Sequence, residues 1–444
     1  MNYPEAWSFL DNLQFFKIKL GLDSMRAFLK SVGDPQREMK FVHVAGTNGK
    51  GSVSANLLTM LSAAGYRTGL YTSPHLTSVR ERFRINDAYI SEEEFARHAS
   101  RIRSVLDGKQ ITYFEFTTAL ALLWFAERRV DLVILEVGLG GRLDATNVVE
   151  PLVGVITNVS MDHEAYLGNT LQEVASEKAG IIKKGVPVVS GVAEDISREV
   201  VVETCRAKGA VLYLLGRDFS YLETGNGVWS YHGLNEGRSF SGLPRGLAGG
   251  YQTGNSALAL AVIDILGDKG FNVPEETIRS SIGKVSWPGR LESFCLTEPL
   301  LEKIDCRDVG ADPLLFRRYL LDGAHNPAGI EGLAEYLEHL PGKPRLIMVW
   351  ASMSDKDYGS ALRRIALLVD RLIFCRPEEE RSATPEELTR ALPDAQRGKA
   401  VGAESVARAL EVARNLATGE DLICVAGSLY LVGAARGLLL GELV

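Results

Sequence analysis

Cysteine is scarce in this chain of 444 residues: there are five, and no two fall in a C-x-x-C arrangement. Cys205, Cys295, Cys306, Cys375 and Cys424 are odd in number and widely spaced, which predicts neither a disulfide framework nor a zinc knuckle and fits a reducing cytoplasm. Long apolar runs are missing too, since no stretch approaches the ~18 uninterrupted apolar residues of a membrane span. The start, MNYPEAWSFL, has no basic segment leading into an apolar one, so an unexported protein without a membrane partner is expected. Nor is there an excess of positive charge. A net charge of -7 excludes a dedicated nucleic-acid binder, leaving small molecules as the expected partners.

Glycine and short Val/Ile/Leu-rich runs are plentiful. FVHVAG, TGLYTS, DLVILEVG, LVGVITNV and VPVVSG alternate with helical patterns such as SEEEFARHASRIRSVL, which reads as a parallel sheet wrapped by helices. Between Ser220 and Gly250 the composition turns to Gly, Tyr and Ser, predicting a small antiparallel excursion or loops. After Trp287-Pro288-Gly289-Arg290 a second alternating block begins, with YLLDGAH, RLIMVWASM, RLIFCRP and DLICVAGS as strands; EKIDCRDVGADP, from Glu302 to Pro313, reads as a loop. The expectation is α/β with two domains: residues 1–289, a P-loop parallel-sheet ATPase-like domain, and residues 290–444, a smaller Rossmann-like one.

The most informative stretch is FVHVAGTNGKGS, Phe41 to Ser52, where an apolar strand breaks into a glycine-rich turn and enters a helix. Such a turn brings backbone N–H groups onto phosphate oxygens at a helix start, with Lys50 to offset charge and Ser52 to face magnesium. The general P-loop pattern is missed, because Val44 replaces its first glycine and Gly51 separates Lys50 from Ser52. Ligands of open parallel sheets gather beyond the carboxyl ends of strands, and Ser73-Pro74-His75, Glu136 and Asp162-His163 all follow strands directly. Glu136 could hold magnesium, or merely pair with a surface lysine; Asp162 could serve as a helix cap, and His163 as a ligand or a structural residue. On helical pattern alone Lys178 belongs to a solvated face. In the second block Asp322 ends a strand where a carboxylate can take ribose hydroxyls, and Asn326 before Pro327 suits a helix N-cap.

Taken in order, GTNGKGS, YTSPHL, ERFRIN, TYFEFTTALAL, EVGLGGRLDATN, TNVSMDHEAYLG, SEKAGIIKKG, WPGRLE, LDGAHNP, SDKDY and AGSLYLVG resemble folylpolyglutamate synthase and dihydrofolate synthase, a branch of the Mur ligase superfamily. Gly51 is itself typical of that branch. The resemblance implies an ATP-dependent, cytoplasmic, monomeric ligase that activates the carboxylate of folate or dihydropteroate as an acyl phosphate and joins it to L-glutamate. It implies that Thr47, Asn48, Gly49, Lys50, Gly51 and Ser52 hold the ATP phosphates, with Asn255, Arg290, Asp322 and His325 as further ATP contacts. Two Mg2+ ions are implied, one on Ser73 and Glu136, the other on Glu136, His163 and a carbamylated Lys178; Lys50, His163 and Lys178 are thereby catalytic. Folate is placed near Leu20 to Met25, Phe114, Glu115, Asp144, Ala145 and Thr146, with domain closure over the acyl phosphate. Two departures from the family pattern are Tyr251, where relatives carry His, and Ala351, where they carry Gly. The alternatives are a Mur-like ligase for another acid and amino acid, and a P-loop regulatory module, for which no N-K-x-D signature is present.

Overall fold

The computed structural model describes residues 1–13, 21–225, 227–306, 312–377 and 381–441, so Leu20 lies outside the described residues. The chain divides into two compact units, the first built mainly from residues 1–75, 80–246 and 252–286, the second mainly from 287–444.

The first unit holds an eight-stranded sheet, ordered β4-β3-β2-β5-β1-β6-β7-β8. Its strands are β1 (Phe41–Ala45), β2 (Thr68–Tyr71), β3 (Phe83–Ile85), β4 (Ala88–Tyr89), β5 (Leu132–Glu136), β6 (Val153–Ile156), β7 (Val188–Ser190) and β8 (Leu212–Leu214). β1, β2, β5 and β6 are buried along their whole length, as near-continuous apolar runs in a parallel sheet must be. β3 and β4 run antiparallel at one edge. Ser220–Gly250 contributes the expected antiparallel excursion: β9 (Ser220–Gly225), β10 (Val228–His232) and β11 (Phe240–Pro244) form a separate three-stranded sheet. Val44 lies opposite Glu136 on one side, while Val42 to Ala45 pair with Val153 to Ile156 on the other. This register sets the ends of β2, β5, β1 and β6 side by side. The loops carrying Ser73, Glu136, the phosphate turn and Asp162-His163 therefore leave from four consecutive strands.

The second unit carries a seven-stranded sheet, β13-β12-β14-β18-β15-β16-β17. Its members are β12 (Glu292–Thr297), β13 (Lys303–Ile304), β14 (Phe316–Asp322), β15 (Leu346–Trp350), β16 (Arg371–Phe374), β17 (Ala400–Gly402) and β18 (Leu422–Ala426). Five strands are parallel, with β12 and β13 antiparallel at one edge. The two-residue strand period sorts the core onto both faces, Leu320, Met348, Leu372 and Cys424 on one side and Leu321, Ile347, Ile373 and Val425 on the other.

Two readings of this region are corrected. The stretch from Glu302 onward is not loop throughout, since Lys303–Ile304 form β13; residues 307–311 lie outside the described residues. Cys295 and Cys306 form a disulfide, against the expectation of none. Spacing along the chain conceals the pair, but the antiparallel register puts Cys295 opposite Ile304 and brings the two Cα atoms to 5.3 Å. Among the described residues no helix is long and apolar enough to cross a membrane.

Candidate active site

The helix Lys50–Ala63 begins at Gly49, which has φ +84° and provides no side-chain cap. The first N–H groups of a helix have no acceptor within it, so the turn presents donors toward an anion. Lys50 Nζ donates to the carbonyls of Gly46 at 2.9 Å and Thr47 at 3.1 Å, curling its ammonium over the turn. The turn is laced to the segment after β6. Thr47 N donates to Asn158 O at 3.1 Å, Asn48 N to Asn158 Oδ1 at 2.8 Å, and Thr157 Oγ1 to Asn48 O at 2.6 Å. Thr47 Oγ1 donates to Ser160 O and accepts from Ser160 N, both at 3.0 Å. A Cβ on Gly46 would stand 1.8 Å from Thr157 Oγ1, so only glycine fits.

Asn255 lies on the helix Tyr251–Gly267 and packs behind this turn, where a Cβ on Gly49 would fall 2.5 Å from Asn255 Oδ1. Gln252 Oε1 accepts from Asn255 Nδ2 at 2.9 Å and fixes its amide. On the same helix Ser256 Oγ donates to Asn56 Oδ1 at 3.0 Å, and Asn56 Nδ2 donates to Ser52 O at 2.9 Å, tying the two helices together through buried polar groups. Gly49→Ala is expected to weaken ATP about tenfold in KM, because a left-handed φ costs an L-residue ~1–2 kcal/mol and the methyl group meets Asn255. An unchanged KM for ATP would show that the turn tolerates the side chain.

Glu136 is buried at the end of β5, and its Oε2 accepts from the backbone N–H of Ser73 at 3.3 Å. It is therefore not a solvated strand-end carboxylate. Asp162 Oδ1 accepts from His163 N at 2.9 Å, while His163, in the left-handed region at φ 51°, stands at the N-cap of the helix Glu164–Leu167 without capping it by its side chain. Its imidazole is 44% exposed.

Lys178 departs most from its helical pattern. It is 3% exposed, and its basicity is pulled down to about 7, first by burial and then by the nearby positive charge of Lys50; Asp162 and Glu177 act the other way. The glycine run after Glu136 explains how its helix, Leu171–Ala179, comes so close. A Cβ on Gly141 would lie 2.9 Å from Glu177 O, and Arg142 both donates its backbone N–H to Glu177 O at 2.8 Å and pairs with the Glu177 side chain at 2.7 Å. Among the described residues no group of three or more His, Cys, Asp or Glu could hold a metal, whereas the expected set draws on Ser73 and Lys178 as well.

The expected folate residues gather beside this loop. Glu115 is buried in a capping box with Thr112 and also accepts from Ser24 Oγ, on the helix Asp23–Ser31. The Phe114 ring sits against the loop so closely that a Cβ on Gly138 would be 2.5 Å from it. Asp144, Ala145 and Thr146 are all buried. Sequence reasoning missed Arg82, whose charge-rich setting VRERFRIN suggests a solvated face. Arg82 is 4% exposed, donates Nε–H to His75 Nδ1 at 2.9 Å and lies 5.2 Å from the Tyr113 ring centroid. No carboxylate among the described residues pairs with it.

The remaining candidates belong to the second unit. Asp322 is buried at the end of β14; Oδ2 accepts from Leu291 N at 2.8 Å and Oδ1 from Ala324 N at 2.9 Å. Burial raises its pKa, opposed by Arg290 and these two donors. His325 Nδ1 is 2.8 Å from Gly323 O, so the ring donates to that carbonyl. Asn326 caps the helix Pro327–Glu338 by accepting from Gly329 N, as expected. Tyr251 is accommodated by Gly332, where a Cβ would lie 2.9 Å from its ring.

Residues 44–262 match the Mur ligase middle domain, and residues 314–429 match the Mur ligase glutamate ligase domain. The dihydrofolate synthase/folylpolyglutamate synthase of Bacillus subtilis (strain 168) is 32% identical over 98% of this chain and 98% of its own length. That of Escherichia coli (strain K12) is 34% identical over 96% and 93%. The solved E. coli FolC in complex with DHPP and ADP aligns with a TM-score of 0.85 at 32% identity, covering 99% of this chain and 98% of its own. A bifunctional folylpolyglutamate synthase/dihydrofolate synthase with Mn, AMPPNP and L-glutamate bound gives 0.84 at 30%, covering 99% and 98%. With two matching domains and whole-length relatives, this chain belongs to the folylpolyglutamate synthase/dihydrofolate synthase family of Mur ligases, ATP-dependent enzymes that join glutamate to a folate acid.

Proposed function

We propose that this chain, a cytoplasmic monomer, adds L-glutamate both to dihydropteroate and to tetrahydrofolate. The observation that carries the reading is the lacing of the phosphate turn to the segment leading to His163, beside the buried Glu136 and Lys178. An oxygen of the acceptor carboxylate attacks the terminal phosphorus of ATP, the P–O bond to ADP breaks, and an acyl phosphate forms. The glutamate ammonium gives one proton to solvent, the neutral amine adds to the acyl carbon, and as the C–O bond to phosphate breaks the nitrogen's second proton leaves with the phosphate, forming the amide. Lys50 and the N–H groups at the start of its helix stabilise charge on the transferring phosphoryl group. The donor chemistry suits divalent cations: Glu136 supplies carboxylate, Ser73 hydroxyl and His163 imidazole, and the two Mg2+ ions, when bound, offset charge on the phosphate oxygens.

An ammonium cannot ligate a cation; Lys178 would join this set as a carbamate, formed when its neutral amine bonds to carbon dioxide and releases a proton. A pKa near 7 leaves that amine largely neutral at mildly alkaline pH. With 13C-bicarbonate, a carbamate carbon signal is expected above pH 7, fading as the pH falls through 7 and absent in Lys178→Arg. A signal unchanged by that substitution would reject the assignment. Product mass spectrometry with dihydropteroate and tetrahydrofolate as separate acceptors tests the function itself: each should gain glutamyl residues, and the reading fails if neither does.

A further inference from the structure

The side chains of Asp144 and Thr146 are already spent inside the protein. Asp144 Oδ1 accepts from Thr146 N at 3.0 Å and Thr146 Oγ1 at 2.5 Å; Oδ2 accepts from Gly138 N at 3.1 Å and Leu139 N at 2.8 Å. Four donors fill the lone-pair sites of a carboxylate. Thr146 has one hydroxyl proton, and it goes to Asp144. Burial raises the pKa of the Asp144 carboxyl, but these four donors oppose that and hold it as an acceptor, so the imidazole of His43, with Nε2 2.9 Å from Thr146 Oγ1, is the donor in that contact.

His43 is wholly buried in β1, between β5 and β6, and burial followed by the Lys183 charge pushes its pKa down to about 3, keeping the ring neutral. Its other nitrogen, Nδ1, is buried without a hydrogen-bond partner. A leucine would fill this place without that cost, so the distinctive contribution of histidine here is its Nε2–H. The chain of contacts continues outward, because the Gly138 and Leu139 amides held by Asp144 belong to the loop against which Phe114 packs.

We propose that His43 is a positioning residue for the acid acceptor: its Nε2–H orients the Thr146 hydroxyl onto Asp144, and the pair clasps the Gly138–Leu139 loop against Phe114 without contacting substrate through their own side chains. This rests on the folate reading above. Steady-state kinetics of the full chain should be measured for His43→Leu, His43→Gln, Thr146→Val and Thr146→Ser, with dihydropteroate and ATP varied separately. Loss of one buried hydrogen bond in the clasp should raise the acceptor KM about tenfold in His43→Leu and Thr146→Val, with the KM for ATP within about twofold. Thr146→Ser keeps the hydroxyl and His43→Gln keeps an amide donor near Nε2, so both should stay within about threefold of the parent in acceptor KM. The proposal is overturned if the acceptor KM is unmoved in Thr146→Val, if both KM values rise together, or if His43→Gln behaves as His43→Leu. Should His43→Leu or Thr146→Val fail to fold, the Gln and Ser variants still decide, since a tenfold loss in either contradicts the donor assignment. A parent enzyme that uses no folate acid would instead refute the functional reading, independently of these variants.

Discussion

Lys178→Ala is expected to lower turnover by about 10³-fold while leaving the fold and ADP binding intact. The size is that expected when a preorganised group is removed from a site that stabilises developing phosphoryl charge, the role proposed above for Lys178. Intact folding follows from the sign of the electrostatics. Lys178 is 3% exposed and its basicity is lowered, so below about pH 7 the folded protein carries a buried ammonium at a cost. Between about pH 7 and the ordinary lysine range the unfolded chain binds a proton that the folded one does not, and the contribution of this group to stability rises with pH. Alanine removes the penalty, so a thermal transition at pH 6 should not fall. Turnover equal to the parent's would dismiss a catalytic Lys178, and a collapsed transition would make it a structural residue.

Arg82→Met is the second large effect, a loss of about 10²- to 10³-fold in kcat/KM for the carboxylate-bearing substrates with ATP binding preserved. A buried guanidinium costs several kcal/mol unless an anion offsets it, and within the described residues it has an imidazole nitrogen and an aromatic face but no carboxylate partner. Both the acceptor and glutamate bring carboxylates to the reaction. Arg82→Met should therefore hold or raise the thermal transition while catalysis falls, and Arg82→Lys, which keeps charge but loses the planar fork, should recover only part. If stability drops and KM is unaffected, Arg82 is packing alone. Calorimetry alongside acceptor and glutamate KM measurements separates the cases.

Much of the fold and the site is visible in the order of residues because strand ends announce themselves. Short apolar runs that stop at polar or glycine-rich turns mark Ser73, Glu136, the phosphate turn and His163 as following strand ends, and the sheet order then sets those strands side by side. What stays concealed depends on neighbours distant in the chain. Lys178 occupies a helical pattern typical of solvated lysines, yet it is buried on a helix onto which the loop of Gly141 and Arg142 folds. Arg82 stands among charges and reads as surface, yet it is enclosed where the chain turns into β3 beneath Tyr113. The Cys295–Cys306 pair depends on a hairpin register. His43 is one apolar-strand position among five, and its role emerges only with Thr146, a residue more than a hundred positions away.

The hydrogen bonds that stitch Thr47 and Asn48 to Thr157, Asn158 and Ser160 also bear on how this enzyme can be recombined with its relatives. A chimera whose crossover falls between these stretches must marry a turn from one parent to a bracket from the other, and the 1.8 Å clearance at Gly46 leaves no slack for a mismatched residue. Viable hybrids should inherit both segments from a single ancestor, as one module of heredity split across the gene.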